Sequence, residues 1–403
     1  DGVLRYVTIS EGKGKIEVAI ELNMSVNHLC SWSIDEKLAI ADDWGAVYLY
    51  DELDKGNQLT TLFDDHFGEI VAMDCVQQGN DYVVTCRKNG CVQVWSVASS
   101  TLVSQIGLQL ETSSMACSPS SSLVVIGTTS GHVYFIETAT IDNPRILSCL
   151  LLHKGPVLYL CFDKFGQVLI TASNDGHSFV VDPRVTTDFN ILGHTDIPGH
   201  VVDVSCLNVR EQNRHGPYQV CILHKLNDRP HGGSKITLFE LSKEMVPVVE
   251  STKSTFKDAT FLYKDEAIKK ASCDLSIICY SLALLPNNIL IALSHHEKKF
   301  IKFNLSVTNK VLSAEVQDSF TGHELHGGNL TASPHLRWLA SCAPDGSVIL
   351  RTVGALDRVI KTAAHHHSHG GAIKAVYSGD GQRIFTIGCD NVLSCWQWNF
   401  TQL

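Results

Sequence analysis

This sequence lacks the long apolar run and the basic run that would place it at a membrane or on nucleic acid. No stretch approaches the roughly 18 apolar residues of a membrane-spanning helix, so the sequence predicts no membrane partner. Basic residues are outnumbered, with 32 Lys and Arg against 42 Asp and Glu, and the formal net charge is −10. Because nucleic-acid binding needs clustered positive charge, we expect no nucleic-acid partner either.

The chain also lacks any Cys-x-x-Cys pair, although it contains 14 cysteines. Most of them sit inside apolar, strand-like segments, where a free cysteine behaves as a small buried hydrophobe. A disulfide framework is not expected in a chain of this length, so the cysteines favour a reduced, cytoplasmic or cytoskeletal setting. The chain begins at Asp1 rather than Met, which indicates a fragment whose targeting segment, if it has one, lies elsewhere.

Helical periodicity of useful length is absent as well, and a repeated strand–turn–strand unit takes its place. The clearest copies are Tyr82 to Trp95, Leu123 to Ile136 and Val168 to Val181. Each has two apolar strands around a small, polar, glycine-containing turn. Four of the turn glycines are spaced by 45, 41 and 45 residues: Gly45, Gly90, Gly131 and Gly176. A period in the low forties built from short strands is typical of a propeller blade with four strands.

Eight such units can be counted, which predicts an all-β fold, a single closed β-propeller with four antiparallel strands in each blade. Eight blades are expected, and seven is the alternative if the degenerate fifth or sixth unit is an insertion. The last unit has too few residues for its outer strand, and Lys15 to Leu22 alternates as a half-buried strand should. We therefore expect it to close the ring. The predicted organisation is closing strand 1–22, blades one to five 23–250, insertion 251–275, and blades six to eight 276–403.

The repeats resemble WD40 repeats over nearly the whole chain. That family has a Gly-His before the first strand of a blade, a Ser or Thr on the second, an Asp in the following turn and a Trp on the third. A histidine in that position is found here at His66 and His153. The resemblance implies a buried hydrogen-bond network, here only partial, and a structural role for Asp43, Thr85, Asn89, Trp95, His153, Thr171, Asp175, Asp345, Thr386, Asp390 and Trp396.

A narrower resemblance rests on the phrases Ser114 to Pro119, Gly131 to Ile136 and Gly155 to Asp163. They are similar to the large WD-repeat cilia- and flagella-associated proteins, which carry long coiled coils that would lie outside this fragment. The resemblance implies a scaffold in the axoneme of a cilium or flagellum, with axonemal dynein, tubulin or a paralogous WD-repeat protein as partner. The alternative is a WD40 scaffold of another intracellular assembly, in trafficking or ribosome biogenesis.

Features that could carry chemistry favour a non-catalytic protein without a cofactor. The segment His365-His366-His367-Ser-His369 is the most metal-like, but adjacent imidazoles cannot all face one ion, and no Cys or carboxylate pattern accompanies it. We expect no metal site. Gly12-Lys-Gly14 lacks the strand–loop–helix context of a phosphate site. The strands beside the predicted axis are mostly apolar with small residues, so no catalytic residue is predicted.

Five residues are predicted to contact partners. Trp44 is an oversized aromatic in a tight turn, and aromatics are enriched at interface hot spots. Arg87 and Lys88 lie in the corresponding turn of the next unit and are expected to act as rim charges. Lys225 and Arg229 belong to an insertion, and long insertions in such rings are often functional.

Overall fold

The computed structural model divides the chain into two compact units, Asp1–Gly68 and Glu69–Leu403. It describes residues 3–10, 13–21, 26–32, 37–42, 47–50, 59–63, 69–76, 82–163, 165–197, 199–208, 218–225, 233–241, 268–275, 277–294, 298–308, 311–325, 328–364, 371–389 and 392–397. These residues form β-strands and one short 3-10 turn, Val185–Thr187. Within them, no helix has the length and apolar character needed to cross a membrane.

The N-terminal unit contains two sheets. Strand β1 (Val3–Ser10) pairs antiparallel with β2 (Lys13–Glu21), and the second sheet joins four strands in sequence order: β3 (Val26–Trp32), β4 (Lys37–Asp42), β5 (Val47–Tyr50) and β6 (Leu59–Phe63). The expectation that Lys15 to Leu22 pairs with the last blade is therefore wrong. Strand β1 lies two residues away in sequence, so pairing with it closes a far shorter loop than pairing with the end of the chain.

The C-terminal unit contains seven antiparallel sheets, which we call blades 1 to 7. Blades 1 to 3 are β7–β10 (Ile70–Val76, Tyr82–Arg87, Cys91–Ser96, Thr101–Gly107), β11–β14 (Thr112–Cys117, Leu123–Thr128, His132–Glu137, Arg145–Leu151) and β15–β18 (Val157–Phe162, Leu169–Ser173, His177–Val181, Ile191–Asp196). Blades 4 and 5 are β19–β22 (His200–Asn208, Tyr218–Lys225, Ser234–Leu241, Ile268–Leu275) and β23–β26 (Cys279–Leu285, Ile289–Ser294, Lys299–Thr308, Val311–Thr321). Blades 6 and 7 are β27–β30 (Asn329–Ala332, Trp338–Cys342, Ser347–Thr352, Ala355–Ala364) and β31–β33 (Ala372–Tyr377, Arg383–Gly388, Leu393–Gln397).

The first strands of the blades, called the inner strands here, contact one another in order from β7 to β31, and β31 contacts β7. The C-terminal unit is thus a closed β-propeller of seven blades, not the eight expected. The degenerate fifth and sixth units are not insertions, because they form blades 4 and 5. It is the first of the eight predicted units, which begins the range 23–250, that lies in the other compact unit.

Seven hydrophobic clusters fill the seven junctions between neighbouring blades. Strand β12 shows how one strand serves two of them. Val124 and Ile126 pack towards blade 1, whereas Leu123 and Val125 pack towards blade 3. Successive side chains of a strand point to opposite faces, and here both faces are buried. The middle strands therefore read as continuous apolar runs, as strands covered on both sides do.

The outer strand of blade 4 differs from its predicted place. It is β22, which falls inside the segment 251–275 predicted as an insertion. A long segment of mixed composition, 242–267, separates β21 from β22 in sequence, and loop length costs little free energy. The sequence pattern therefore gives a poor guide to where such a blade resumes.

Candidate interaction surface

One face of the ring carries the turns between the second and third strands of each blade, and we call it the turn face. Three of these turns use one device: a side-chain oxygen accepts the backbone N–H two residues further on. Asn89 accepts from Cys91 at 3.0 Å, Asp175 from His177 at 3.0 Å and Asp345 from Ser347 at 2.8 Å. These residues fix the shape of the turns.

Blade 3 ties its turn to the segment that leads into its inner strand. The buried His153 ring contacts Asp175 through Nδ1 at 3.1 Å and Thr171 Oγ1 through Nε2 at 2.8 Å. Asp175 also accepts the backbone N–H of Lys154 at 2.9 Å. Burial alone would raise the pKa of Asp175, but the hydrogen bond and charge of His153 and the backbone N–H groups lower it to about 2. The carboxylate is therefore held ionised as a structural acceptor.

Blade 6 contains an equivalent network that the sequence reasoning missed. His323 contacts Ser341 Oγ through Nε2 at 2.7 Å and Ser347 Oγ through Nδ1 at 2.6 Å, and it lies 3.5 Å from Asp345. Burial lowers the pKa of His323, and it would raise that of Asp345, yet the hydrogen bonds from Ser347 lower the pKa of Asp345. The missed signal was present, since Gly322-His323 is the Gly-His pair of the repeat pattern.

Blades 1 and 7 retain another part of the pattern. Trp95 donates its indole N–H to Thr85 Oγ1 at 2.9 Å, and Trp396 donates to Thr386 Oγ1 at 2.8 Å. Asp43 and Asp390 lie outside the described residues. In blade 6 the third strand carries Arg351 instead, whose buried guanidinium donates to the carbonyl oxygens of Leu356 and Thr321 and lies 4.7 Å from the Phe300 ring centroid.

The residues predicted to contact partners are placed differently by the structure. Lys88 is exposed in the β8–β9 turn, and Lys225 is exposed at the end of β20, both at the turn face. Arg87 is only 2% exposed, and its Nε donates to Gln93 Oε1 at 2.9 Å, so it is not the rim charge expected. Trp44, Arg229 and the histidine segment 365–369 lie outside the described residues. Within the part that the structure describes, no three His, Cys, Asp or Glu side chains converge as metal ligands.

Polar side chains of the inner strands bond to the main chain of the next inner strand around the ring. Five of these bonds are between 2.7 and 3.1 Å long: Asp74 with Cys117 N, Ser113 with Val157 O, Asp203 with Leu282 N, Ser281 with Leu330 N, and Asn329 with Ala375 N. Tyr159 donates to the carbonyl oxygen of Val202 at a further junction. Within the described part of the chain, a side chain that reaches the neighbouring blade therefore joins six of the seven junctions.

The inner strands enclose a channel with a cavity of about 610 Å³. Six inner strands of the ring have a register shift near their start, at the second residue in five of them and at the third in β19, and each shift is a β-bulge that redirects that side chain. The six bulged residues line the cavity and are half-buried: Val71, Ser113, Leu158, Val202, Tyr280 and Ile373. Because an inner strand begins at the turn face, they surround the mouth of the channel on that face, and we call them the collar.

Asp203 lies below the collar, and the pKa of its carboxyl group is raised from the usual value of an aspartate. Burial in the channel wall raises its pKa to about 6, although hydrogen bonds from Ser281, Leu282 and Val204 oppose the rise. The native state then binds more protons at this site than the unfolded chain between about pH 4 and pH 6. The contribution of Asp203 to stability is therefore present below that window and is lost as the pH rises through 6.

Asp203→Asn is expected to remove this pH dependence. Relative to the variant, the wild-type chain should gain stability as the pH falls from 7 to 4, by up to about 3 kcal/mol at 1.36 kcal/mol per pKa unit. This free-energy difference is an upper limit, because Asp203 lines the cavity and solvent that enters the cavity screens its charge. Urea unfolding of both proteins at several pH values measures the difference, and a difference that stays constant across that range would contradict the assignment.

Comparison with known proteins adds two findings. Residues 145–182, which contain the network of blade 3, match the family model described as "WD domain, G-beta repeat". Over 404 residues the chain is 29% identical to "Cilia- and flagella-associated protein 43" of Xenopus laevis, covering 99% of this chain and 25% of that protein. It is 26% identical over 402 residues to the protein of the same name from Mus musculus, and this match covers 99% of this chain and 23% of that protein. The chain spans about a quarter of the length of the curated relatives it matches.

Proposed function

We propose that this chain is a non-catalytic protein-interaction scaffold of the axoneme of cilia or flagella. The observation that carries the proposal is similarity along 99% of the chain to proteins named for cilia and flagella, in a chain whose C-terminal unit is a closed seven-bladed ring. A ring stabilised at every blade junction by apolar packing is rigid and offers two faces and a rim for docking. Such surfaces suit a scaffold.

The chemistry of the channel supports a non-catalytic role. In the channel wall, a hydrogen bond with Cys161 and burial raise the pKa of the Cys206 thiol. Burial also raises the pKa values of the Cys75 and Cys117 thiols on the inner strands, so all three groups stay protonated. A protonated thiol is a poor nucleophile. The Asp74 and Asp203 carboxylates accept backbone N–H groups from the next blade, which gives them a structural task.

Partners proposed for the scaffold are axonemal dynein, tubulin or a paralogous WD-repeat protein. Lys88 and Lys225 would meet such a partner at the turn face, because both are exposed there. Charges at the rim of an interface mainly alter the association rate and the salt response, so their removal should weaken binding mildly. Trp44 and Arg229, which lie outside the described residues, stay predictions.

The test is localisation and fractionation of the tagged natural protein that contains this chain, expressed in ciliated cells. We expect the protein to remain with the microtubule doublets after detergent removes the ciliary membrane, and proximity labelling to mark axonemal proteins. An endogenous cytosolic protein, washed out by the same detergent, is the control. Recovery with ribosomal or vesicle fractions would instead support a scaffold of ribosome biogenesis or trafficking and would overturn the proposal.

A further inference from the structure

The collar gives the channel an apolar mouth. Five of its six side chains are aliphatic or aromatic, and Ser113 is the exception. Each is half-buried, so each still offers apolar surface to an incoming group. Long basic side chains can bury their methylene stems along such a surface while their charged heads reach a polar environment. The collar is therefore suited to the stem of a side chain with a polar end.

Below the collar, the Asp203 carboxylate keeps acceptor capacity. An ionised carboxylate offers about four lone-pair positions. Among the described residues, Oδ1 accepts Val204 N at 2.8 Å, and Oδ2 accepts Ser281 Oγ at 2.7 Å and Leu282 N at 2.8 Å. These bonds fill three positions and hold the carboxylate in place. A donor arriving from the cavity can occupy the fourth, on Oδ1.

The charge balance around the cavity favours a cation. Lys374 supplies the positive charge among the described lining residues, against Asp203 in the lining and Asp74 nearby. Among the described residues its ammonium is not within 4 Å of either carboxylate, so neither is neutralised by a close ion pair. The pKa values of Tyr159 and Tyr280 are raised by burial and then by the charges of Asp203 and Asp345, which indicates a negative potential.

We propose that this channel receives a lysine or arginine side chain of a protein partner, inserted through the collar from the turn face so that its cationic head donates to Asp203. The inference rests on the proposed function, because it requires a protein partner. It goes beyond that function by naming the chemistry that the partner must present. Lys374 opposes the incoming charge and so limits the affinity of the site.

Saturation-transfer difference NMR with acetylated amino-acid amides and the full chain tests the inference. Acetyl-arginine amide and acetyl-lysine amide are the probes, and acetyl-norleucine amide and acetyl-glutamate amide are the neutral and acidic controls. We expect at least one cationic probe to bind, and to bind more tightly than either control. Asp203→Asn should weaken its binding roughly tenfold, the loss expected for one hydrogen bond to a charged group.

Two further variants keep the test decisive if Asp203→Asn folds poorly. Lys374→Gln removes the opposing charge and should strengthen binding of the cationic probe severalfold. Asp142→Asn makes the same chemical change as Asp203→Asn on the exposed β13–β14 loop and should leave the affinity unchanged.

Three outcomes would overturn the inference: preference for the glutamate probe, no binding of either cationic probe, or no gain in affinity with Lys374→Gln. If the protein is found in axonemes but binds no cationic probe, the channel site alone is refuted. If it binds a cationic probe but is absent from axonemes, the proposed function alone is refuted.

Discussion

Replacing Gly131 with alanine is expected to destabilise the C-terminal unit by about 3 kcal/mol. Gly131 adopts a φ of +89°, which costs a residue with a Cβ roughly 1–3 kcal/mol. A Cβ at this position would also overlap the carbonyl oxygen of His153, and backbone cannot move aside as a flexible side chain can. The Gly131 carbonyl accepts the N–H of Leu152 and of His153, so the strain would spread into the segment that holds the blade 3 network.

Urea unfolding followed by tryptophan fluorescence measures this effect, and Gly107→Ala is the matched control. Gly107 ends β10, where an added Cβ would meet no atom within 4 Å. Exposed substitutions of this kind usually change stability by less than about 0.5 kcal/mol. Equal midpoints for the two variants would show that the close approach of the β12–β13 turn to His153 does not exist in solution.

Phe135→Ala is expected to cost about 3–5 kcal/mol, the range for deleting a buried phenylalanine side chain. Phe135 is fully buried between blades 2 and 3, and its ring stacks on Phe189 with centroids 4.1 Å apart and an interplanar angle of 23°. The surrounding strands are fixed by sheet hydrogen bonds on both sides and can close the resulting cavity only in part. Calorimetry should therefore show a lower melting temperature.

Leu151→Ala, on the outer strand of the same blade, is the comparison for this substitution. Leu151 is 47% exposed and should lose much less stability on truncation. If Phe135→Ala and Leu151→Ala melted alike, the junction between blades 2 and 3 would not be packed as described. Different losses would instead show that this junction carries a substantial share of the stability of the ring.

The blades could be predicted from the sequence because their middle strands are buried on both faces. Such strands have to be continuous apolar runs, and the polar turn between them stands out, as in β12 and β13. The networks of blades 1, 3 and 7 were predictable for a related reason. Their polar groups recur at fixed distances from one another on either side of the turn, and that spacing is local in sequence.

The ring size and the channel were less accessible, because they depend on contacts between residues far apart in sequence. Nothing in β2 itself distinguishes a strand that pairs with β1 from one that closes the ring. The collar depends on bulges, which leave the residue types of the inner strands unchanged. Arg87 is a different case. Residues two apart on a strand share a face, and Thr85 was already placed in a buried network, so the burial of Arg87 could have been inferred.

The junction between β31 and β7 has a thermal consequence. Blade 1 contributes Ile70 and Met73 to it, and blade 7 contributes Val376, Phe385 and Ile387, so its packing is apolar. Among the residues that the structure describes, the bonds from a side chain to the main chain of the neighbouring blade join the other six junctions. Hydrophobic stabilisation weakens on cooling. On cooling, the junction between blades 7 and 1, where the first and last strands of the ring meet, should therefore be the first to lose stability. Warming towards physiological temperature should stabilise the same junction.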